Sequence, residues 1–158
     1  MNLDWSILHA IQAHLACPFL DALMPKITML GDVGAIWGLS AIGLICTKNT
    51  AGRGLLLLAG LAVGVLVGNV CLKNLIARPR PCWLDQSVPL LIPSPTDDSF
   101  PSGHTLASAV GATILTKTNH RFGYAAIPLA ALIAFSRMYL YVHFPSDILA
   151  GAALGIAI

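Results

Sequence analysis

The hydrophobic positions of this chain fall into long apolar runs separated by short polar segments. Residues 54–72 contain no charged side chain, and nineteen helical residues at ~1.5 Å each extend about 28 Å. That length is close to the roughly 30 Å hydrocarbon core of a bilayer. Further spans are predicted over residues 27–46, 101–116, 122–140 and from Pro145 onward. The pattern predicts an all-α, polytopic membrane helix bundle.

The final run, which starts at Pro145, stops at Ile158 after too few residues to cross a bilayer. We therefore expect the native chain to continue past Ile158. Residues 1–17 have helical spacing without the length to span, with apolar side chains at Leu3, Ile7, Leu8, Ile11 and Leu15. They predict an amphipathic helix on the membrane surface, with a plain exposed helix as the alternative.

Three glycines, Gly60, Gly64 and Gly68, recur every four residues along the second span. This spacing is typical of a helix face that another helix approaches closely. Packing within the chain is favoured over a dimer interface. The oligomeric state is left open, a monomer included.

Composition supports a lipid environment. Hydrophobic residues make up 56% of the chain and charged residues 10%, against about 25% charged in soluble domains. We expect one membrane-embedded domain over residues 1–158. The four cysteines have no metal-type or disulfide-framework spacing. A net charge of +2 is weak evidence about partners, and we expect no nucleic acid among them.

The charges are distributed unevenly between the two predicted membrane faces. One face carries four basic residues and no acid: Lys48, Arg53, Lys117 and Arg121. All seven aspartates fall on or near the other face. The positive-inside rule makes the acid-free face cytoplasmic. The polar site described next is then expected to face the periplasm or the exterior, or a lumen.

The stretch from Ser136 to Asp147 places Arg137, His143 and Asp147 at the junction of two apolar runs. Ionisable groups beside hydrocarbon indicate a functional site. His143 is the candidate nucleophile, because a neutral imidazole is nucleophilic near pH 7. Asp147 could orient its ring, and Arg137 could clamp an anion. The alternative is a purely structural salt bridge between Arg137 and Asp147.

Three cations, Lys73, Arg80 and Arg137, are predicted to emerge on the same face, and the first two have no acid close to them in sequence. Three converging positive charges favour a phosphate pocket. Arg78, by contrast, is expected to extend to lipid headgroups.

The segment Pro101-Ser102-Gly103-His104 begins a predicted helix, so its free N–H groups and dipole favour an anion. Gly103 lets the backbone approach the ligand.

Two histidines could divide a phosphoryl transfer. One would attack phosphorus, and the other would protonate the leaving oxygen and then activate water. His104 has no acid three or four positions away, which favours it as the proton donor. No cluster of Asp, His or Cys has metal-ligand spacing, so we expect no metal and no cofactor.

Three motifs carry a family resemblance: Lys73-x6-Arg80-Pro81, then Pro101-Ser102-Gly103-His104, then Ser136-Arg137-x5-His143-x3-Asp147. Together they resemble the signature of the type 2 phosphatidic acid phosphatase (PAP2) superfamily. The resemblance implies His143 as nucleophile, Asp147 as its orienting partner and His104 as general acid and base. It also implies phosphate binding by Lys73, Arg80, Ser102, Gly103 and Arg137.

The short spans and loops resemble small bacterial lipid phosphatases of this family. This resemblance implies about six spans in the full chain, with the last one missing or truncated here. The resemblance implies a multi-pass enzyme of the cell (inner) membrane that hydrolyses undecaprenyl diphosphate through a phosphohistidine. Phosphatidylglycerophosphate and phosphatidate are alternative substrates, since the motifs read the phosphate and not the tail. A non-catalytic lipid-phosphate carrier is a further alternative, although it would not need both histidines and Asp147.

Overall fold

The computed structural model describes residues 3–158, all of whose regular structure is helical. Met1 and Asn2, where the predicted N-terminal helix begins, lie outside the described residues. The helices in chain order are α1 (Leu3–Leu15), α2 (Pro18–Leu30), α3 (Ala35–Ile45), α4 (Ala51–Gly64), α5 (Lys73–Ile76), α6 (Pro81–Leu84), α7 (Gly103–Thr118), α8 (His120–Tyr139) and α9 (Pro145–Ala157). A π-helical segment, Val65–Leu72, joins α4 to α5. The predicted all-α membrane bundle is confirmed.

Two stretches of the described chain, Ala51–Leu84 and His120–Tyr139, are long and apolar enough to cross a membrane. The pair Pro18–Leu30 and Asp32–Ile45 is a third candidate, although it bends by 44°. α7 and α9 have 16 and 13 residues, which is short for a span. Residues 3–158 therefore hold two or three candidate spans, fewer than the runs predicted as spans.

The first span differs from its prediction in both start and shape. Its helix begins at Pro18 and not near residue 27, because proline suits the first turn of a helix. It then breaks at a short 3-10 turn, Asp32–Gly34. Val33 and Gly34 have positive φ angles of 53° and 68°, which stop the helical hydrogen bonding. Asp32 is the first residue of this break.

α7 is the centre of the bundle, since it packs against α8, α9 and α4. The glycine face of the second span lies against it: a Cβ on Gly60 would meet Val110 at 2.9 Å, and Gly64 and Gly68 face Leu106. The prediction that this face packs within the chain is confirmed. Close backbone approach at these positions draws the two helix ends that carry the site together.

The N-terminal helix α1 is packed along one side and is not a plain exposed helix. Leu8 and Ile11 are buried with the residues that join α8 to α9, among them Tyr141 and Phe144. Asp4 accepts hydrogen bonds from Ser146 at the start of α9. The predicted amphipathic helix therefore covers the segment that holds the candidate nucleophile.

Candidate active site

One cavity of about 650 Å³ collects most of the predicted site residues. They reach it from the end of the second span, the start of α7 and the end of α8. The members that line it are Lys73, Arg80, Gly103, His104, Arg137 and His143. Ser102 and Asp147 do not line it and are fully buried behind its wall.

His143 is held as a neutral imidazole. It is 1% exposed, and burial, together with the charges of Arg80 and Arg137, lowers its pKa to about 3. Arg80 Nη1 lies 3.1 Å from His143 Nε2. Since a guanidinium can only donate, Nε2 must be the unprotonated nitrogen, and Nδ1 carries the hydrogen. The lone pair of His143 Nε2 therefore points to the guanidinium of Arg80, which also lines the cavity.

Asp147 approaches the other ring nitrogen but is not in direct hydrogen-bond contact with it. Its Oδ2 lies 3.6 Å from His143 Nδ1, longer than a normal hydrogen bond. Ser99 sits between them, with Oγ 3.4 Å from Nδ1 and a hydrogen bond donated to Asp147 Oδ2. The predicted pairing is thus a three-residue arrangement. Ser99 carries no local sequence signal that would have identified it.

Arg78 corrects one prediction, because it does not extend to headgroups. Its Nη1 donates to Asp147 Oδ1 at 2.6 Å, and its Nη2 donates to Asp4 Oδ2 at 2.8 Å. The guanidinium carbon also lies 4.1 Å from the ring centre of Phe144. Asp147 receives a third support from the Phe144 N–H at 2.8 Å. Arg78 is therefore the charge partner of the buried carboxylate.

The alternative of a salt bridge between Arg137 and Asp147 is wrong. Arg137 is 5% exposed, and its Nη1 donates to Thr28 Oγ1 at 2.6 Å. Its Nε has no hydrogen-bond partner among the described residues. A buried guanidinium with an unsatisfied donor is costly unless an anion completes it. Arg137 therefore lines the cavity with one of its buried donors unsatisfied.

Lys73 and Arg80 do have an acidic partner, contrary to the expectation from the sequence. Asp97, from the loop between α6 and α7, forms ion pairs with Lys73 Nζ and, at 2.8 Å, with Arg80 Nη2. Partial burial raises the pKa of this carboxyl, but Lys73 and Arg80 outweigh burial and lower it to about 2. An anionic carboxylate therefore occupies the space between two predicted phosphate binders.

The start of α7 has the predicted helix N-terminus, with one change. Ser102 is its N-cap: its Oγ accepts from Thr105 N at 3.4 Å, and its own N–H donates to the Asp147 carbonyl at 3.2 Å. The Ser102 hydroxyl therefore caps the helix and does not line the cavity. Gly103 does line it, with Asn69 so close that a Cβ on Gly103 would lie 2.8 Å from Asn69 Oδ1.

His104 has an acidic partner that no local spacing could reveal. Its Nε2 lies 2.8 Å from Asp32 Oδ1, in the break between α2 and α3. The sequence has no acid three or four positions from His104, and the acid that pairs with it lies 72 positions away. The only local feature that draws attention to Asp32 is its position between Gly31 and Gly34 inside an apolar run, and this feature does not indicate His104 as its partner.

Within residues 3–158, no group of three or more His, Cys, Asp or Glu side chains lies close enough together to hold a metal ion. The polar part of the cavity is built from cations, two histidines and the two carboxylates of Asp32 and Asp97. Cations that surround a neutral imidazole can bind a phosphoryl group and stabilise the charge that develops on it.

The fold and this cavity resemble those of membrane-spanning PAP2-type phosphatases. The sequence profile of the PAP2 superfamily matches residues 53–158, and the chain belongs to that superfamily. It is 36% identical over 113 residues to an undecaprenyl-diphosphatase of Sulfolobus acidocaldarius. The matched region covers 71% of this chain and 54% of that protein, so the chain spans about half of that relative's length.

Two solved structures share the fold across almost the whole chain. LpxE of Aquifex aeolicus matches with a TM-score of 0.87 and 28% identity, over 99% of this chain and 92% of the other. The PAP2 type phosphatidylglycerolphosphate phosphatase of Bacillus subtilis matches with a TM-score of 0.73 and 31% identity, over 99% and 82%. The cavity therefore lies in a fold that a solved PAP2 type phosphatase shares.

Proposed function

We propose that the chain hydrolyses a phosphate ester or diphosphate on a lipid carrier through a phosphohistidine at His143. The observation that carries the proposal is the pairing of a neutral imidazole with Lys73, Arg80 and Arg137 in one cavity. A phosphoryl group bound there would complete the unsatisfied Nε of Arg137. It would also displace the Asp97 carboxylate from Lys73 and Arg80.

In the first step, His143 Nε2 forms a bond to phosphorus while the bond from phosphorus to the leaving oxygen breaks. Protonated His104 gives its proton to that oxygen. Arg80, which donates to Nε2 beforehand, turns its N–H to a phosphoryl oxygen. The cations and the Gly103 N–H stabilise the charge spread over those oxygens.

In the second step, neutral His104 takes a proton from water, and the water oxygen attacks phosphorus. The bond between phosphorus and Nε2 breaks, which releases inorganic phosphate and restores His143. Asp147, fixed by Arg78 and Ser99, stabilises the positive ring while it carries the phosphoryl group. Ser102 contributes by capping the helix that supplies Gly103 and His104.

Undecaprenyl diphosphate is the favoured substrate, since the relative in Sulfolobus acidocaldarius carries that activity in its name. Part of the cavity wall is apolar, with Pro25, Met29, Leu61, Val65 and Ile92 among its lining residues. Such a wall suits the first part of a lipid tail. Phosphatidylglycerophosphate is the second candidate, because the Bacillus subtilis structure is named for it.

A panel assay on the purified protein in detergent tests this proposal. Phosphate release is measured from polyprenyl diphosphate, phosphatidylglycerophosphate and phosphatidate, with a strong chelator present throughout. We expect the fastest release from the polyprenyl diphosphate and no loss caused by the chelator. Binding of these lipids without any phosphate release would instead identify a carrier. Activity that requires an added divalent ion would overturn the metal-free mechanism.

We also propose that the cavity faces the periplasm or exterior of a bacterial cell membrane. The support is the basic, acid-free character of the opposite face, at Lys48, Arg53, Lys117 and Arg121. After replacement of the native cysteines, a cysteine at Ser87 should react with an impermeant reagent in intact cells, while one at Lys48 should not. The reverse pattern would place the site in the cytoplasm.

A further inference from the structure

The break in the first span brings the carboxylate of Asp32 into contact with His104, which lines the same cavity as His143. Asp32 Oδ1 lies 2.8 Å from His104 Nε2. The Asp32 side chain is 56% exposed and lines the cavity. A histidine bonded in this way has its tautomer and its ring orientation fixed by the acid.

Packing on the same side fixes which edge of the ring meets Asp32. Gly31 lies against the ring so closely that a Cβ there would be 2.8 Å from His104 Cδ2 and 2.9 Å from Ile133. The Cδ2 and Nε2 edge therefore faces the break. Nδ1 lies on the opposite edge of the ring, and it has no hydrogen-bond partner among the described residues.

The backbone of the break is strained in a way that an ordinary helix would avoid. Val33 is a β-branched residue with a φ of 53°, and it is fully exposed. This conformation is unfavourable for a β-branched residue, and packing of the exposed Val33 side chain does not offset its energetic cost. Strain of this kind tends to persist where a functional group must be positioned. Here the group that the break positions is the Asp32 carboxylate.

We infer that Asp32 is a positioning residue for the phosphatase reaction: it holds the Nε2 hydrogen of His104, so that Nδ1 is the nitrogen that exchanges protons. The inference rests on the role proposed above for His104. In the phosphorylation step, Asp32 stabilises the imidazolium whose Nδ1–H goes to the leaving oxygen. In the hydrolysis step, it stabilises the same imidazolium as Nδ1 takes the proton from water.

The leaving group of the substrate distinguishes this role from a structural one. A phenolate that leaves easily needs no proton, whereas a poor leaving group does. The test uses the full chain in detergent, with rapid-quench measurement of phosphoenzyme formation from 2,4-dinitrophenyl phosphate and from phenyl phosphate. The variants are Asp32→Asn, His104→Ala and, as a control, Asp21→Asn. Asp21 lies on the same span and bonds Tyr139 outside the cavity.

For Asp32→Asn we expect phosphorylation by phenyl phosphate to slow by roughly 10- to 100-fold, a part of the usual contribution of general acid catalysis. Phosphorylation by dinitrophenyl phosphate should stay within about threefold of the unchanged chain, and the phosphoenzyme should accumulate because its hydrolysis is slowed. Asp21→Asn should change the rate of phosphorylation by the same factor with both substrates.

Two failures are distinguishable. Equal losses with both substrates for Asp32→Asn, while His104→Ala remains selective, would overturn the positioning role and leave the proposed function intact. The other failure is that His104→Ala slows phosphoenzyme formation equally with both substrates, or with neither. In that case the assignment of His104 as the proton donor would be wrong, and the inference about Asp32 would be wrong with it.

Discussion

Arg78 and Asp147 form an ion pair at the back of the cavity, with Arg78 Nη1 2.6 Å from Asp147 Oδ1. The carboxylate is fully buried, while the guanidinium reaches partly to the surface and also binds Asp4. A buried carboxylate needs such a partner to stay ionised. Arg78 thus links α1 and α9 to the residue that supports His143.

Replacing Arg78 by glutamine should damage both stability and activity. Asp147 would lose its charge partner, and removal of one member of a buried pair costs on the order of 3 kcal/mol. We expect a lower melting temperature in detergent and a roughly tenfold slower phosphate release. Arg53→Gln, on an exposed position of the opposite face, is the matched control and should change neither. A normal rate in Arg78→Gln would show that Asp147 is held by Ser99 and Phe144 alone.

If Lys73 and Arg80 bind phosphate as proposed, the Asp97 carboxylate competes with it for both cations, and replacing Asp97 tests this competition. In Asp97→Asn, Lys73 and Arg80 lose the carboxylate that pairs with them. We expect inorganic phosphate to inhibit about two- to fivefold more strongly, which corresponds to ~0.5–1 kcal/mol for a partly exposed ion pair. Asp98→Asn is the control, because Asp98 contacts Arg80 only through its backbone carbonyl. Weaker inhibition in Asp97→Asn would contradict competition.

The buried His143 should make stability depend on pH. Burial lowers its pKa in the folded chain from 6.5 to about 3. Between these values the unfolded chain binds the extra proton, so the free energy of unfolding falls as the pH is lowered through this window. We expect the melting temperature to drop between pH 7.5 and 5, and His143→Gln to drop less over the same range. Identical pH slopes would show that His143 is not buried as a neutral ring.

The sequence predicted the helices well and the ion pairs poorly. The charge-free run at residues 54–72 and the proline at position 145 are local signals, and both mark helices in the structure. The three motifs likewise supply six of the residues that line the cavity, whereas their Ser102 and Asp147 are buried and do not line it. Each of these features depends on neighbours in the chain or on a family pattern.

The partners of those residues were missed, since they come from distant segments. Asp32 lies 72 positions before His104, and Arg78 lies 69 before Asp147. A single sequence carries no signal for such pairings. Asp97 lies in the loop between α6 and α7, so its contacts with Lys73 and Arg80 depend on how that loop packs against the bundle. Only the assembled bundle shows which acid meets which cation.

Close packing around α7 should make one glycine irreplaceable. A Cβ at Gly111 would overlap the Trp37 ring, which is buried and donates a hydrogen bond to Ser108 at 3.1 Å. Overpacking of this kind costs about 1–3 kcal/mol, so Gly111→Ala should lower the melting temperature. Gly38→Ala, on α3 with open space around its Cβ position, should be neutral or stabilising because alanine favours helices. Equal effects of the two variants would contradict this packing.

Trapping the phosphoenzyme tests the central claim most directly. The purified chain is mixed with labelled activated aryl phosphate, quenched within milliseconds, and analysed for acid-labile phosphohistidine by peptide mapping. We expect label on His143 Nε2 in the unchanged chain, label still formed in His104→Ala, and none in His143→Asn. Label on His104, or label that persists in His143→Asn, would contradict the assignment of His143 as the nucleophile.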